Sequence, residues 1–192
     1  MDSAEAYEAH AHEFLRTRDT SPIGTPVVDQ WARTLRRGAC VIELGCGGGY
    51  PITRVLNEAG LQLWAVDSSP TLVAAFRSRF PAIPVQCARV QETDFFGRMY
   101  EGAIAAGLIF LLSEPDQATL ISRVSRILEP GGRFLLTAPI EEGDWIDMNT
   151  GLQCRSLGQA NYGKYLRDAG FRLVATCRDK GDNNYYDVER IG

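Results

Sequence analysis

A glycine-rich segment at residues 43–49 carries the clearest chemistry in the chain. It reads Glu-Leu-Gly-Cys-Gly-Gly-Gly, follows the apolar run Cys40–Leu44 and precedes a helix that Pro51 opens. Glycines at the end of a strand let the backbone turn tightly and approach a ligand closely. Two phosphate-binding patterns fail here: Tyr50 stands where a dinucleotide fingerprint needs its third glycine, and no lysine follows as a Walker loop requires. The segment therefore predicts a loop that lies against a ligand of low charge.

A second carboxylate, Asp67, ends the next predicted strand, residues 61–66. In an open α/β sheet a carboxylate at that point reaches a ribose diol and accepts two hydrogen bonds from it. The competing interpretation is a helix cap, but Ser69 before Pro70 already supplies one. The position therefore favours ribose binding.

Strands and helices alternate along the chain from residue 40 onward. Apolar runs predict strands at residues 40–44, 61–66, 85–87, 102–106 and 133–138. This alternation is typical of a parallel sheet covered by helices. Two last runs, 171–177 and 185–191, flank a turn-rich segment and predict a closing hairpin that adds one antiparallel strand.

The length of 192 residues, with 45% hydrophobic and 23% charged residues, predicts one globular domain. Residues 4–16 and 27–35 show helical spacing of apolar residues, so residues 1–35 are expected to form a helical region before a core at residues 38–192.

Four segments in order resemble the class I S-adenosylmethionine-dependent methyltransferases, over most of the chain from about Val27. Residues 43–49 match the first motif of the family, Asp67 its second acidic position, residues 100–108 its fourth-strand segment and residues 128–133 the turn before its fifth strand. The resemblance implies an α/β, Rossmann-like, mostly parallel seven-stranded sheet with helices on both faces and a C-terminal antiparallel hairpin strand. It also implies methyl transfer from S-adenosyl-L-methionine, which becomes S-adenosyl-L-homocysteine, to a small-molecule acceptor.

The resemblance also assigns cofactor-binding roles. Glu43 and the glycine loop would hold the methionine part, Asp67 the ribose hydroxyls, and Ser68 the edge of the adenosine. The remaining positions implied for the cofactor are Gly45, Cys46, Gly47 and Gly49 of the loop, Arg89, Val90 and Gln91 facing the adenine, and Ala106, whose backbone carbonyl would lie near the sulfonium.

Some implied positions depart from the family pattern or lie outside its motifs. Ala88 stands where many relatives carry an aspartate that accepts the adenine amino group. Tyr7 matches the tyrosine that family members use as a lid over the cofactor, and Arg16 or Arg18 is expected to pair with the cofactor carboxylate. Helix packing is the alternative role for Tyr7.

The acceptor side is expected to be formed by elements outside the family motifs. Candidate substrate-binding residues are Leu108, Phe110, Trp145, Tyr185 and Tyr186. Residues 141–150 are expected to form a long loop, with an aromatic residue among acids, that acts as an acceptor lid. Of the two adjacent tyrosines, one is expected to point away from the core.

Catalysis is expected to come mainly from positioning, because the methyl group is already activated on sulfur. Candidate general bases are His10, Tyr7 and Tyr186, with His12 as a further possibility. The two histidines are two positions apart, so a helix would turn them to different sides; no metal site is expected.

Composition excludes several classes of protein. The formal net charge of −4 argues against a nucleic-acid partner, and no apolar run reaches the length of a membrane span. The N-terminus lacks the pattern of a signal peptide, and five cysteines without a C-x-x-C pair are expected to be reduced. We therefore expect a cytoplasmic monomer or homodimer. An NAD-dependent oxidoreductase and a non-catalytic cofactor-binding module remain the alternatives.

Overall fold

A computed structural model describes residues 2–148 and 150–192 of the chain. The strands are β1 Cys40–Leu44, β2 Gln62–Asp67, β3 Val85–Cys87, β4 Tyr100–Ala105, β5 Leu128–Thr137, β6 Glu142–Ile146, β7 Gln153–Leu157, β8 Phe171–Arg178 and β9 Asn184–Arg190. The helices are α1 Ser3–Ala9, α2 Ala11–Arg18, α3 Thr25–Ala32, α4 Ile52–Glu58, α5 Pro70–Arg79, α6 Glu114–Ile127 and α7 Gly158–Asp168, with 3-10 turns at Phe95–Gly97 and Ile109–Leu111.

Seven strands form the main sheet in the order β3-β2-β1-β4-β5-β9-β8. The first five strands in that order run parallel, and β9 lies antiparallel between β5 and β8. The parallel sheet with a closing antiparallel strand is thus confirmed. The carboxyl ends of β1, β2 and β4 meet at one edge, where ligands bind in open α/β sheets.

Helices cover both faces of the sheet, and apolar clusters fill the space between the helices and the sheet. Tyr186 joins the cluster that contains Tyr162 of α7, whereas Tyr185 joins the cluster that contains Val28 of α3. Each of the two adjacent tyrosines is only 2% exposed. The expectation that one of them points away from the core is wrong, because opposite faces of a strand are both buried when both carry helices.

The N-terminal region forms two helices where the sequence predicts one. The backbone turns at His10, which ends α1 and precedes α2, and its Nδ1 is 2.9 Å from the carbonyl oxygen of Ala6. Asp2 caps the N-terminus of α1 and forms a capping box with Glu5, which stabilises the first turn of this helix. Among the described residues, none of the helices combines the length and the apolar character that crossing a membrane requires.

The predicted loop at residues 141–150 is largely a strand. β6 pairs antiparallel with β7, from Glu142 opposite Leu157 to Ile146 opposite Gln153. Apolar and polar residues alternate only weakly along β6, because the strand is mostly exposed. A search for strands with one buried face therefore does not detect β6. The segment is therefore one arm of a two-stranded hairpin beside the main sheet.

Candidate functional site

A cavity of about 70 Å³ lies at the carboxyl ends of β1, β2 and β4, beneath α1. Its walls bring together much of the predicted cofactor site. The predicted residues that line it are Tyr7, Gly45, Asp67, Ser68, Arg89, Val90, Gln91 and Leu108. Ala88 also lines it, so a methyl group faces the ligand space at the position where the family pattern has a carboxylate.

Asp67 is held by backbone donors on both of its oxygens. The Gly47 N–H donates to Oδ2 at 2.8 Å, and the Ser69 N–H donates to Oδ1 at 2.9 Å. Burial raises the pKa of this carboxyl above its usual range, and the backbone hydrogen bonds oppose that shift. A carboxylate has about four acceptor positions, so a diol has lone pairs left to bind.

Two glycines of the loop pack closely against aromatic side chains of the protein. A Cβ on Gly47, whose φ is +55°, would come within 3.0 Å of Phe14 in α2. At Gly49 a Cβ would lie 2.4 Å from Phe80 at the end of α5. Substitution at Gly47 therefore displaces an N-terminal helix. Gly47 does not line the cavity, so its close approach to a ligand stays a prediction.

Glu43 is buried behind the loop, where Thr53 Oγ1 of α4 donates to its Oε2 at 2.5 Å. Burial raises the pKa of Glu43 to about 8, and the charge of Asp67 adds to the rise. The guanidinium of Arg18 is near enough to lower that pKa in turn. An acidic and a basic side chain, Glu43 and Arg18, thus lie close together where the loop meets α2.

Hydrogen bonds and an ion pair hold α1 and α2 against α5, above the glycine loop. Glu8 of α1 accepts hydrogen bonds from the hydroxyl of Ser69 and from the N–H and the hydroxyl of Thr71, the latter two at 3.1 and 2.7 Å. Asp19, which ends α2, pairs through both oxygens with Arg79, at 2.8 and 2.6 Å. The cavity is therefore closed from above by α1 and α2.

Tyr7 connects the cavity with the β6–β7 hairpin. Its ring packs edge-on against Phe14 at 5.4 Å between centroids, and its hydroxyl lies near the carboxylate of Asp147. Burial, followed by the negative charge of Asp147, raises the pKa of Tyr7 far above its ordinary value. Sequence reasoning did not single out Asp147, although it lies in the acidic segment proposed as a lid.

Trp145 of β6 packs against Phe110 of the 3-10 turn, with ring centroids 5.2 Å apart. The hairpin, the turn after β4 and Tyr7 thus meet on one side of the cavity. This is the side on which the sequence predicted acceptor-binding residues.

Several predicted residues lie apart from the cavity walls. The Tyr185 hydroxyl donates to Asp179 at 3.0 Å, and Tyr186 faces Tyr162 with its hydroxyl buried and unpaired among the described residues. His12 is exposed, and His10 turns back on α1. Cys46 and Ala106 flank the lining glycines, Gly45 and Gly107, without lining the cavity themselves.

Within the described parts of the chain, no three His, Cys, Asp or Glu side chains gather as metal ligands would. All five cysteines are free thiols.

Comparison with known proteins links this geometry to one family. Residues 41–132 match a family described as "Methyltransferase domain". The ubiquinone biosynthesis O-methyltransferase of Xanthomonas oryzae pv. oryzae is 32% identical over 109 residues, 55% of this chain and 45% of that protein. A probable S-adenosylmethionine-dependent methyltransferase of Mycolicibacterium smegmatis is 28% identical over 145 residues, 72% of this chain and 54% of that protein.

Among solved structures, magnesium protoporphyrin IX methyltransferase from Synechocystis PCC 6803 with bound S-adenosylmethionine superposes with a TM-score of 0.77. It is 15% identical, with 97% of this chain and 94% of that chain covered, so the likeness shows a shared fold. The chain spans about half the length of the curated relatives it matches. The matched family, the relatives and the strand order agree in one likeness: the chain is similar to the class I S-adenosylmethionine-dependent methyltransferases.

Proposed function

We propose that the protein transfers a methyl group from S-adenosylmethionine to a small-molecule acceptor. The observation that carries the proposal is Asp67. A buried carboxylate ends β2, is oriented by two backbone N–H groups and faces a cavity beside a glycine loop. Such a carboxylate costs free energy to bury, and a ribose diol supplies the hydrogen bonds that offset this cost.

The residues around the cavity fit the other parts of the cofactor. Residues 88–91 would border the adenine, with backbone groups taking the role of the side chain that Ala88 lacks. Glu43 and Arg18 match an ammonium and a carboxylate, the two groups at the methionine end, because a bound ammonium would lower the raised pKa of Glu43 and favour its ionised form. When bound, S-adenosylmethionine supplies a methyl group on a positively charged sulfur.

The chain itself would act mainly by position and by exclusion of water. Tyr7 and the helices α1 and α2 close the cavity, and Leu108 packs above Gly45, with its Cδ1 3.4 Å from the position of a Cβ there. His10 can accept a proton at Nε2 only in the tautomer in which Nδ1–H donates to the carbonyl oxygen of Ala6. In addition, His10 does not line the cavity. A strong acid or base is therefore not part of the proposal.

The wider setting remains the one expected from the sequence. We propose a cytoplasmic protein, a monomer or homodimer, that acts on small molecules and not on nucleic acid. The net charge of −4 supports the last point.

Calorimetry tests the proposal. S-adenosylhomocysteine should bind with micromolar affinity or better and more tightly than NAD. Asp67→Ala should weaken that binding by about thirtyfold, or about 2 kcal/mol, because two hydrogen bonds to a charged group are lost. Asp168→Ala removes an exposed carboxylate of α7 and should leave the affinity unchanged. Tighter binding of NAD would support an oxidoreductase instead.

Transfer of a labelled methyl group into a metabolite extract separates an enzyme from a binding module. Tight binding of S-adenosylhomocysteine with no labelled product from any extract would support the non-catalytic alternative.

A further inference from the structure

Beyond the proposed function and independently of it, we propose that the protein forms a homodimer in which β8 pairs with β8 of a second copy and the two α7 helices pack side by side. Three features of one surface point to this partner: the free edge of the main sheet, a groove beside that edge, and two charged side chains without partners at opposite ends of α7.

The strand β8 is long and has one unpaired side. It is the last strand of the main sheet, it spans eight residues, and among the described strands only β9 pairs with it. Every residue of β8 after Phe171 is exposed, and residues 173–177, Leu-Val-Ala-Thr-Cys, carry no charge. Proteins usually protect such an edge, because its unpaired N–H and C=O groups can hydrogen-bond to a strand of another chain. The edge of β8 is therefore open to strand pairing.

A groove of about 920 Å³ lies beside this edge, between α7 and β8. We call it the edge groove; its apolar walls include Leu166, Phe171, Leu173, Val188 and Ile191. Leu173 and Ile191 are each 56% exposed. Removal of such apolar surface from water favours the association of proteins. The edge groove thus offers an apolar surface that a second chain can cover.

Symmetry lets a second copy fit this surface. Two β8 strands that pair antiparallel are related by a two-fold axis normal to the sheet, so both copies use the same surface. Because α7 packs on β8, this axis brings the two α7 helices side by side and antiparallel on one face of the sheet. Ala160 and Gly163 line the edge groove on α7, and their small size lets the helices approach closely.

Two charged side chains of the edge groove, Glu142 and Arg167, have no ion-pair partner among the described residues. Glu142 lies at the start of α7, with its Cβ 3.1 Å from the position that a Cβ on Gly158 would occupy. Arg167 lies nine residues further along the helix, about 14 Å at the helical rise. The other arginine of the groove, Arg172, is already paired with Glu189 at 2.9 Å.

The antiparallel arrangement of the helices matches these two charges. It places the last turn of one α7 beside the start of the other, so that Arg167 of each copy meets Glu142 of the partner subunit. Within one chain the two side chains stay apart, because they lie at opposite ends of the helix. An unrelated protein would have to carry both opposite charges at the same spacing, whereas a second copy supplies them by symmetry. The charges therefore favour a second copy as the occupant of the edge groove.

Sedimentation velocity over a range of protein concentrations tests the pairing. The unaltered protein should form a dimer with a dissociation constant in the micromolar range or tighter. Leu173→Arg places a charge in the edge groove and should weaken this dimer about tenfold or more. Hydrogen exchange should be slower at the amides of β8 in the dimer than in Leu173→Arg.

Two results would overturn the inference. One is a protein that stays monomeric at every concentration, which would leave the edge groove to a peptide or a small ligand. The other is a dimer in which the amides of β8 exchange as fast as in Leu173→Arg.

A charge exchange identifies the partner as a second copy. Arg167→Glu should weaken the dimer about tenfold or more, because two acids then face each other, and Glu142→Arg should do the same with two bases. The variant with both changes restores opposite charges and should dimerise as the unaltered protein does, which also shows that both new side chains are compatible with the fold. Lys164→Glu makes the same change of charge on α7 outside the edge groove and should leave the dimer unchanged. Equal dimer strength in all four variants, or no recovery in the double variant, contradicts the proposal.

Discussion

At the scale of single residues, ionisable groups are buried where a zwitterionic ligand end would lie. Glu43 is only 4% exposed, and its single side-chain partner is Thr53 among the contacts of the described residues. Arg18 is half-buried near it and donates only long hydrogen bonds, at 3.5 Å to Ser21 and 3.4 Å to the Ile23 carbonyl. Both groups are thus retained at a cost that ligand binding would offset.

The first prediction concerns the two arginines of α2. Arg18→Met should weaken binding of S-adenosylhomocysteine by about tenfold, the loss of one hydrogen bond between charged groups, and leave adenosine binding unchanged because adenosine has no carboxylate. Arg16→Met, on the exposed side of the same helix, is the control and should alter neither affinity. Calorimetry with both ligands checks this. Equal losses for the two ligands would mean that Arg18 supports the fold of the site instead.

The second prediction is a pH dependence of stability. The pKa of Glu43 is about 8 in the folded protein against an ordinary 4.5, so the folded state holds this proton where the unfolded state has released it. The free energy of unfolding of the ligand-free protein should therefore fall as pH rises from 5 to 8. The fall should be about 1.4 kcal/mol for each pH unit between the pKa of Glu43 in the unfolded state and its pKa in the folded state.

Urea titrations at several pH values measure this fall in stability. Glu43→Gln cannot lose a proton, so its stability should change less over the same range. Parallel pH profiles for the two proteins would contradict the pKa assigned to Glu43.

At the scale of elements, the β6–β7 hairpin lies outside the walls of the cavity, on the side where we expect the acceptor to bind. Trp145 lies on the face of β6 that meets Phe110, whereas the next residue, Ile146, is 60% exposed. Neither residue lines the cavity below Tyr7. We therefore expect separate elements to carry the acceptor contacts and the cofactor contacts.

The third prediction follows from this separation. Trp145→Ala should lower turnover with a labelled methyl donor about tenfold or more, because an interface aromatic residue is lost, and leave the affinity for S-adenosylhomocysteine unchanged. Ile146→Ala truncates the neighbouring exposed side chain and should have no effect on either quantity. Lost cofactor affinity with normal turnover in Trp145→Ala would contradict the lid assignment.

At the scale of the whole molecule, the cavity beneath α1 and α2 has a volume of about 70 Å³, well below the roughly 300–1,000 Å³ of a typical ligand pocket. The helices α1 and α2 close it through Glu8 and Asp19, with Glu8 bound to Ser69 and Thr71 at the start of α5. Ligand entry therefore requires these helices to move away from the core.

The fourth prediction is kinetic. In stopped-flow experiments, the observed rate of S-adenosylhomocysteine binding should level off at high ligand concentration, because opening of the helices precedes binding. Glu8→Ala removes the contacts to Ser69 and Thr71 and should raise the limiting rate severalfold. Glu13→Ala, on the exposed side of α2, serves as the control. A rate that rises linearly and is the same in all three proteins would contradict gating by the helices.

Features that depend on neighbours along the chain could be predicted from the sequence. The apolar run Cys40–Leu44, the glycines after it and Asp67 at the next strand end are local patterns, and their meeting follows because parallel strands share one edge for their carboxyl ends. The Ser69 cap and Pro70 at the start of α5 are also as expected, since capping needs only adjacent residues.

The way in which distant segments meet could not be predicted from local patterns. The packing of Phe14 above Gly47, the contact of Glu8 with α5 and the proximity of Tyr7 to Asp147 join residues far apart in sequence, and no local pattern specifies such pairs. The burial of both Tyr185 and Tyr186 likewise depends on helices that cover both faces of β9. Local propensity and spacing fix the elements, whereas long-range packing selects which side chains share a site.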